Sequence, residues 1–173
     1  MGSNYSLAFI GNALAIKGSG IPGTVLPPGD GIIPVTGAEF VSLGCGPAVI
    51  TLRLRNGDEA MIDCDSGDQA SAVTEPEEAL PDVLPEGQQY VSAMTLQVMR
   101  GGKLLSALPV GKKAVISFII PKGLAGRTFA IFFWDAEAND GLGAWKELQA
   151  TVTGKGRVEV TVTFTGTFAL GVK

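Results

Sequence analysis

The sequence predicts an all-β protein in the form of an antiparallel β-sandwich. Its 173 residues include 24 glycines and 10 prolines, so turns recur at short intervals and favour short strands over long helices. Several short segments are either apolar throughout or alternate between apolar and polar residues, as strands do, and no segment has convincing helical periodicity. With 46% hydrophobic residues the chain can bury a core, which excludes wholesale disorder.

Residues 1–37 are predicted to form an extended N-terminal strand followed by a connector. Residues 5–17 are apolar and compatible with a strand, whereas residues 18–37 are rich in glycine and proline. The strand would either pair with an edge of its own sheet or complete the sheet of a neighbouring subunit, because strand addition uses an open edge. The candidate residues of this assembly strand are Leu7, Phe9, Leu14 and Ile16.

Residues 38–88 are predicted to form a Cys-bracketed β-hairpin module followed by an acidic linker. The dipeptide Asn56-Gly57 separates two strand-like runs, at residues 49–54 and 59–62, and is the strongest short-range signal for a hairpin. Several prolines exclude a helix from the linker.

Cys45 and Cys64 stand on either side of this hairpin and are predicted to form a disulfide. The bond would close a loop of about 20 residues and stabilise the fold by roughly 3 kcal/mol. Two reduced thiols are the alternative, but the even cysteine count and the low lysine content favour a disulfide in a secreted chain. A two-residue turn would place Cys64 opposite Val49, so residues 44–47 would have to bend to bring the sulfur atoms together.

Residues 89–173 are predicted to form the sandwich itself. Residues 157–164 alternate strictly between apolar and polar side chains, which is typical of a half-buried antiparallel strand. Two continuous apolar runs, at residues 114–120 and 128–134, are expected in the centre of the sheets. Further strands are predicted at residues 90–99 and 165–172. No helix is predicted, and residues 140–148 could hold at most a helical turn.

Charge is distributed unevenly along the chain. Residues 58–99 hold ten acidic residues and no basic one, whereas residues 100–173 hold ten basic and five acidic residues. The two regions could complement each other within the chain or between subunits, or the acidic region could be a solvated linker. The net charge of −4 argues against a nucleic-acid partner, and no apolar run reaches the roughly 18 residues of a membrane span.

The chain contains no histidine, which restricts its chemistry. Ser-His-Asp and Cys-His catalytic arrangements are excluded because their general base is missing, and two cysteines alone cannot build a four-cysteine zinc site. General acid–base catalysis near neutral pH would need a perturbed carboxylate or lysine. The sequence predicts a protein that is not an enzyme and has no catalytic residues, and an enzyme that uses carboxylates alone is the third reading.

One segment partly matches a calcium-binding loop. Its candidate ligands are Asp135, Glu137, Asn139 and Asp140. The match is incomplete because Asp140 stands where the loop has glycine and Lys146 where it has glutamate. The alternative is a polar loop between two strands, with Trp134 and Trp145 at its base. No other cofactor is predicted.

From about residue 84 onward the sequence resembles the C-terminal sandwich modules of large secreted bacterial cell-surface proteins. The resemblance rests on a strand ending SFIIP at residues 117–121, a W-D-to-W hairpin at residues 134–145 and a closing FTGTFAL strand at residues 164–170. It implies an Ig-like β-sandwich outside the cell and carries no catalytic residues.

These observations together predict a non-enzymatic structural or assembly protein of the cell surface. The protein would associate with itself, or with other surface proteins, into filaments or a surface layer by exchange of its N-terminal strand. The alternative is a sandwich module that binds a carbohydrate or another ligand, assisted by calcium.

Overall fold

The computed structural model describes residues 40–173 and the backbone of two strands near the N-terminus. The chain forms two compact units, residues 1–30 and 31–173. In the first unit, β1 (Ser6–Ile10) and β2 (Ala13–Lys17) pair antiparallel as a two-stranded sheet, here called the N-terminal ribbon. The predicted connector at residues 18–37 lies outside the described residues.

The N-terminal segment holds two short strands where the sequence analysis expected one. Gly11-Asn12 stands between the two apolar runs, and Gly-Asn is a typical dipeptide of a two-residue hairpin loop. The ribbon register pairs Ile10 with Ala13 and Ser6 with Lys17.

Twelve further strands form two antiparallel sheets within residues 40–173. The first sheet contains, in spatial order, β11 (Ala144–Leu148), β10 (Phe129–Asp135), β14 (Gly166–Val172), β7 (Gln89–Arg100), β6 (Gln69–Thr74) and β3 (Phe40–Gly44), and β8 (Lys103–Leu105) pairs with the end of β7. The second sheet contains β12 (Thr151–Thr153), β13 (Arg157–Val162), β9 (Ala114–Ile119), β5 (Glu59–Ile62) and β4 (Ile50–Arg53).

Helical structure in residues 40–173 is confined to single turns. Two are 3₁₀ turns, at Glu77–Ala79 and Lys122–Leu124. The third, α1 (Ala138–Gly141), contains Asn139 and Asp140 with positive φ, so it is an irregular turn between β10 and β11.

The two sheets enclose one hydrophobic core, which confirms the predicted β-sandwich. Val158, Val160 and Val162 are buried, as the strict alternation of their strand predicted. The sequence left open whether residues 38–88 and 89–173 share a core, and the structure shows that they do. β6 pairs with β7 and β5 pairs with β9, so strands of both segments lie side by side in each sheet.

The predicted hairpin around Asn56-Gly57 is present with a longer turn. Leu54 N–H donates to Asp58 O (2.8 Å) and Gly57 N–H donates to Leu54 O (3.0 Å), so three residues, 55–57, form the loop. Gly57 has φ +91°, the left-handed conformation that closes a three-residue loop of this kind. The expected two-residue turn was therefore wrong by one residue, and the register of β4 and β5 shifts accordingly.

The sequence did not predict β3, β6, β8 or β12 as strands. β11 follows the turn at residues 138–141 and contains Trp145, at the base of the predicted polar loop. Its pairing with β10 sets Trp134 opposite Trp145, with ring centroids 5.3 Å apart in an edge-to-face arrangement. This cross-strand aromatic contact outweighs the low strand propensity of Lys146 and Glu147.

Candidate functional site

The predicted disulfide is present and joins the two sheets. Cys45 follows β3 in the first sheet, and Cys64 follows β5 in the second. Cys45 N–H donates to Asp68 O (2.8 Å), which extends the pairing of β3 with β6 by one residue. Because both sulfur atoms are buried in the core, the bond fixes the distance between the sheets at this end.

A second link between the sheets is a buried carboxylate, Asp58, next to the β4–β5 turn. Its Oδ2 accepts hydrogen bonds from Ser92 Oγ (2.5 Å) and Asn56 Nδ2 (2.6 Å), and its Oδ1 accepts the Ile119 N–H (2.8 Å). Ser92 lies in the first sheet and Ile119 in the second. Asp58 is 1% exposed, so this network ties the turn to both sheets without access to water.

Burial raises the pKa of the Asp58 carboxyl above its ordinary value of 3.8. The hydrogen bonds from Ser92, Ile119 and Asn56, and the charge of Arg157, act in the opposite direction but do not cancel the desolvation. The hydrogen bonds of the network therefore replace only part of the hydration that the Asp58 carboxylate would have in water. Its place between the two sheets indicates a structural role.

The outer face of the second sheet carries a charged rung. Glu59 accepts from Arg53 Nη2 and from Arg157 Nη2, each at 3.0 Å. Arg157 Nε also donates to Ser117 Oγ (2.6 Å), and Ser117 Oγ donates to Glu159 Oε1 (2.9 Å). These residues belong to four adjacent strands, so the rung crosses most of the sheet.

The acidic run at residues 63–68 is neutralised within the chain. Arg100 pairs with Asp65 (2.7 Å) and Asp68 (2.8 Å), and Lys112 pairs with Asp63 (2.7 Å). Hydrogen bonds from Arg100 lower the pKa of the buried Asp68 carboxyl, and Asp63 raises the pKa of Lys112. For these three of the ten acidic residues of the region, the internal complement is the arrangement found.

The acidic linker at residues 75–88 folds back on the first sheet. Tyr90 Oη donates to Glu75 O (2.6 Å), and Trp145 Nε1 donates to Asp82 O (3.1 Å). The carboxylates of the linker form no ion pair with the described residues. The linker is therefore attached through its backbone while its charges stay available to solvent.

A small buried cluster lies under this linker, on the outer face of the first sheet. Phe132 is 2% exposed although it faces away from the main core. Gln88 of the linker approaches Gly171 so closely that a Cβ atom there would lie 2.9 Å from Gln88 Oε1. The buried neighbours of Phe132 on this face are Ala93, Ala130 and Ala169.

On β3, β6, β7 and β14 the rest of this outer face carries no charged side chain. One rung consists of Ser42, Ser71 and Gln97 on three adjacent strands. In the next rung the hydroxyl oxygens of Thr95 and Thr167 are 2.9 Å apart. Gln69 Nε2 donates to Ser42 Oγ (3.1 Å), so the amide and hydroxyl groups hydrogen-bond along the surface.

The four candidate calcium ligands lie around the β10–β11 turn. Asp135 forms an ion pair with Lys146 and accepts the Glu137 N–H (3.0 Å), and this contact with Lys146 lowers the pKa of Asp135. Asn139 Nδ2 donates to Gly143 O (3.2 Å), and Asp140 is exposed. In residues 40–173 no three acidic or cysteine side chains are grouped as a metal site. The calcium site stays a prediction that this geometry does not support.

The four candidate assembly residues lie in the N-terminal ribbon. The register pairs Leu7 with Ile16 and Phe9 with Leu14. Because side chains alternate along a strand, these four positions belong to one face of the ribbon. Ala8 and Ala15 are paired on the opposite face. Most of the large apolar residues of the ribbon therefore belong to one face.

A shallow cavity opens where the first sheet passes to the second, between β11 and β12. It measures about 650 Å³ and has Phe129, Leu148 and Ala150 on its apolar side. Glu147 and Thr151 lie at its rim. The cavity contains one titratable side chain, so it lacks the paired groups of an acid–base catalytic site.

Sequence reasoning missed Asp58 and Arg157 as the centres of the two polar networks. Asp58 was grouped with the acidic region, although an aspartate directly after Asn-Gly is a common turn residue that could have suggested a local role. The partners of Asp58 are 34 and 61 residues away along the chain, and no local pattern indicates them. Arg157 lies on the polar face that the alternation of residues 157–164 predicts.

Within the described residues, no helix is long and apolar enough to cross a membrane. The disulfide is compatible with a secreted protein, because such bonds persist in oxidising compartments. In comparisons with known proteins, no family model matches the sequence, and no curated protein matches it either. The resemblance to bacterial surface modules therefore stays a prediction.

Proposed function

We propose that this protein is a non-enzymatic structural subunit that acts outside the cell and associates with itself through its N-terminal ribbon. The observation that carries this proposal is the ribbon register, which assigns Leu7, Phe9, Leu14 and Ile16 to one face. A two-stranded sheet alone is at best marginally stable in water, so an apolar face of this kind favours a covering partner. A second copy of the chain is the proposed partner.

The architecture of residues 40–173 supports a structural role. A disulfide and the Asp58 network both connect the two sheets, at separate places. The acids of residues 58–68 are engaged by arginine, lysine or backbone groups. Such a domain is suited to holding its shape while its surfaces make contacts.

The test replaces large residues on one face of the ribbon and small residues on the other. Phe9→Glu with Leu14→Glu places two carboxylates on the proposed contact face, at positions paired across the ribbon. Ala8→Glu with Ala15→Glu is the matched control, because it places two carboxylates at paired positions on the opposite face.

Light scattering coupled to size-exclusion chromatography would measure the mass of each assembly. We expect the wild-type chain and the Ala8/Ala15 variant to form large assemblies, and the Phe9/Leu14 variant to lose the association made through the ribbon. A wild-type chain that stays monomeric, or equal effects of the two variants, would contradict the proposal.

A further inference from the structure

The four strands at the ends of the two sheets differ in how well they are protected against pairing with another strand. β11 presents Lys146 and Glu147, both exposed, and β4 carries Arg53. β12 has only three residues. Charges and short length are the usual devices that prevent edge strands from joining.

β3 lacks these devices. Its sequence, FVSLG, has five residues with no charge and no proline, and its register with β6 has no bulge. Phe40 is 43% exposed at one end of the strand. At the other end, no atom of the described residues, apart from Gly44 and its two chain neighbours, lies within 4 Å of the place where a Cβ of Gly44 would be.

The hydrogen-bonding groups on the free side of β3 can be assigned from its pairing. Cys45 N–H donates to Asp68 O (2.8 Å) and Cys45 O accepts from Gly67 N–H (3.4 Å), so Cys45 points both groups toward β6 and the residues that precede it. Backbone direction alternates along a strand, and therefore Phe40, Ser42 and Gly44 point their N–H and C=O groups away from β6. No other described strand pairs with these groups.

We propose that two copies of this protein join edge to edge through β3, in an antiparallel pair centred on Ser42. This register makes Phe40 of one copy face Gly44 of the other, and Ser42 face Ser42. All three facing pairs then consist of residues with outward backbone groups, which gives about six hydrogen bonds between the copies.

Side-chain complementarity supports a second copy as the occupant. In this register the exposed ring of Phe40 lies beside the open space at Gly44 of the other copy, and an aromatic residue across from an edge glycine is a known stabilising arrangement. Val41 and Leu43, on the core side, lie opposite Leu43 and Val41, so the apolar layer continues across the junction. No charge on the strand opposes the approach.

The symmetry of this contact predicts a closed dimer. A contact in which the same patch serves on both copies has a twofold axis and ends at two chains. The inference uses residues 40–45 alone and does not rest on the proposed role of the N-terminal ribbon. If both contacts form, dimers made through β3 become the repeating unit that the ribbon extends.

The experiment uses the full chain carrying Phe9→Glu and Leu14→Glu, so that association through the ribbon is suppressed. Ser42→Pro is added to remove the outward N–H at the centre of the contact while leaving the pairing with β6 intact, since Ser42 does not donate to β6. We expect the dimer dissociation constant, measured by sedimentation, to rise roughly 10- to 100-fold, because two central hydrogen bonds are lost.

A second variant keeps the test valid if the proline prevents folding. Ser42→Lys places two lysines directly opposite each other across the dimer and should also dissociate it. Gln97→Lys is the matched control, because Gln97 lies in the same rung, two strands from the edge, and the dimer should persist.

Dimers for the background chain and for Gln97→Lys, with monomers for Ser42→Lys, would support the proposal. A background chain that is monomeric at its highest soluble concentration would overturn it, and so would equal behaviour of the two lysine variants. Loss of all association on changing the ribbon alone would show that the ribbon makes the contact and that β3 does not.

Discussion

The outer faces of the two sheets are built from different chemistry. The second sheet is crossed by the rung that joins Arg53, Glu59, Arg157 and Glu159, whereas β3, β6 and β7 of the first sheet offer serine, threonine and glutamine without charge. On the second sheet the charged groups bind one another and stay within the domain. On the first sheet the polar groups are neutral up to the edge at β3, so another copy can approach without opposing charge.

The comparison extends to the two carboxylates that lie deepest in the structure. Asp58 is held mainly by neutral donors between the sheets, and burial raises its pKa. Asp68 is held by the Arg100 guanidinium, which lowers its pKa. The pKa values of the two aspartates thus shift in opposite directions, because Asp58 lacks a direct cationic partner and Asp68 has one in Arg100.

The largest predicted effect follows from removal of the buried Asp58 carboxylate. Asp58→Ala should lower the free energy of unfolding by about 3 kcal/mol, because the Ile119 N–H and the Asn56 amide lose their acceptor in a dry site. Asp58→Asn keeps one acceptor oxygen and should lower it less. Urea unfolding monitored by tryptophan fluorescence measures both changes. A loss below about 1 kcal/mol for the alanine variant would mean that the network does not link the sheets.

Removal of the disulfide should have a slightly smaller effect. Cys45→Ser with Cys64→Ser frees a loop whose ends are 19 residues apart, and the unfolded chain gains entropy equivalent to roughly 3 kcal/mol. Relaxation of the native sheets offsets some of this entropy gain. The loss in the free energy of unfolding should therefore be slightly smaller than the loss for Asp58→Ala. Thermal melting of the oxidised protein and of this variant provides the measurement. Identical melting temperatures would contradict the claim that the bond constrains the sheets.

The charged rung predicts that two arginine substitutions differ in how much stability they remove. Arg157 is largely buried against Ser117 and Glu59, so Arg157→Ala should destabilise the fold by about 2 kcal/mol. Arg53 contacts the same Glu59 with a side chain that is 49% exposed, and Arg53→Ala should cost no more than about 0.5 kcal/mol. Chemical denaturation at low salt would separate the two. Equal losses would show that burial of the rung does not matter.

The smallest predicted effect is a difference in pH dependence. Since the pKa of Asp68 is lower in the folded chain than its ordinary 3.8, its contribution to stability is present above pH 3.8 and is lost as the pH falls through the folded value. Arg100→Gln should therefore be less stable than wild type at neutral pH, and the difference should shrink below pH 3.8.

Asp58 should show the opposite sign. Because its pKa is raised, its titration favours the folded state below pH 3.8, and this contribution is lost as the pH rises through the folded value. In Asp58→Asn that component is absent, so the stability difference from wild type should vary with pH in the reverse sense to that of Arg100→Gln. Parallel profiles for the two variants would contradict the assigned causes.

The parts of the fold that the sequence predicted are those fixed by local pattern. The alternation of residues 157–164 identified β13 and its buried valines, and Asn56-Gly57 identified the β4–β5 hairpin. The bracketing cysteines pointed to the disulfide. The first two signals lie within a few residues of the structure that they specify, and the two cysteines stand 19 residues apart on either side of that hairpin.

What the sequence could not predict depends on distant partners. The Asp58 network joins positions up to 61 residues apart, and its geometry exists only after both sheets have formed. β3 and β6 are short and contain small residues whose strand propensity is weak. They form strands because β3 pairs with β6 and β6 pairs with β7. The edge position of β3 is likewise a property of the sheet order.

The central claim is that the chain is a self-associating subunit, and sedimentation of three full-length oxidised proteins tests it most directly. We predict large assemblies for the wild-type chain, dimers for the Phe9→Glu/Leu14→Glu variant, and monomers when Ser42→Pro is added to that variant. A wild-type chain that sediments as a monomer at every concentration would contradict the account.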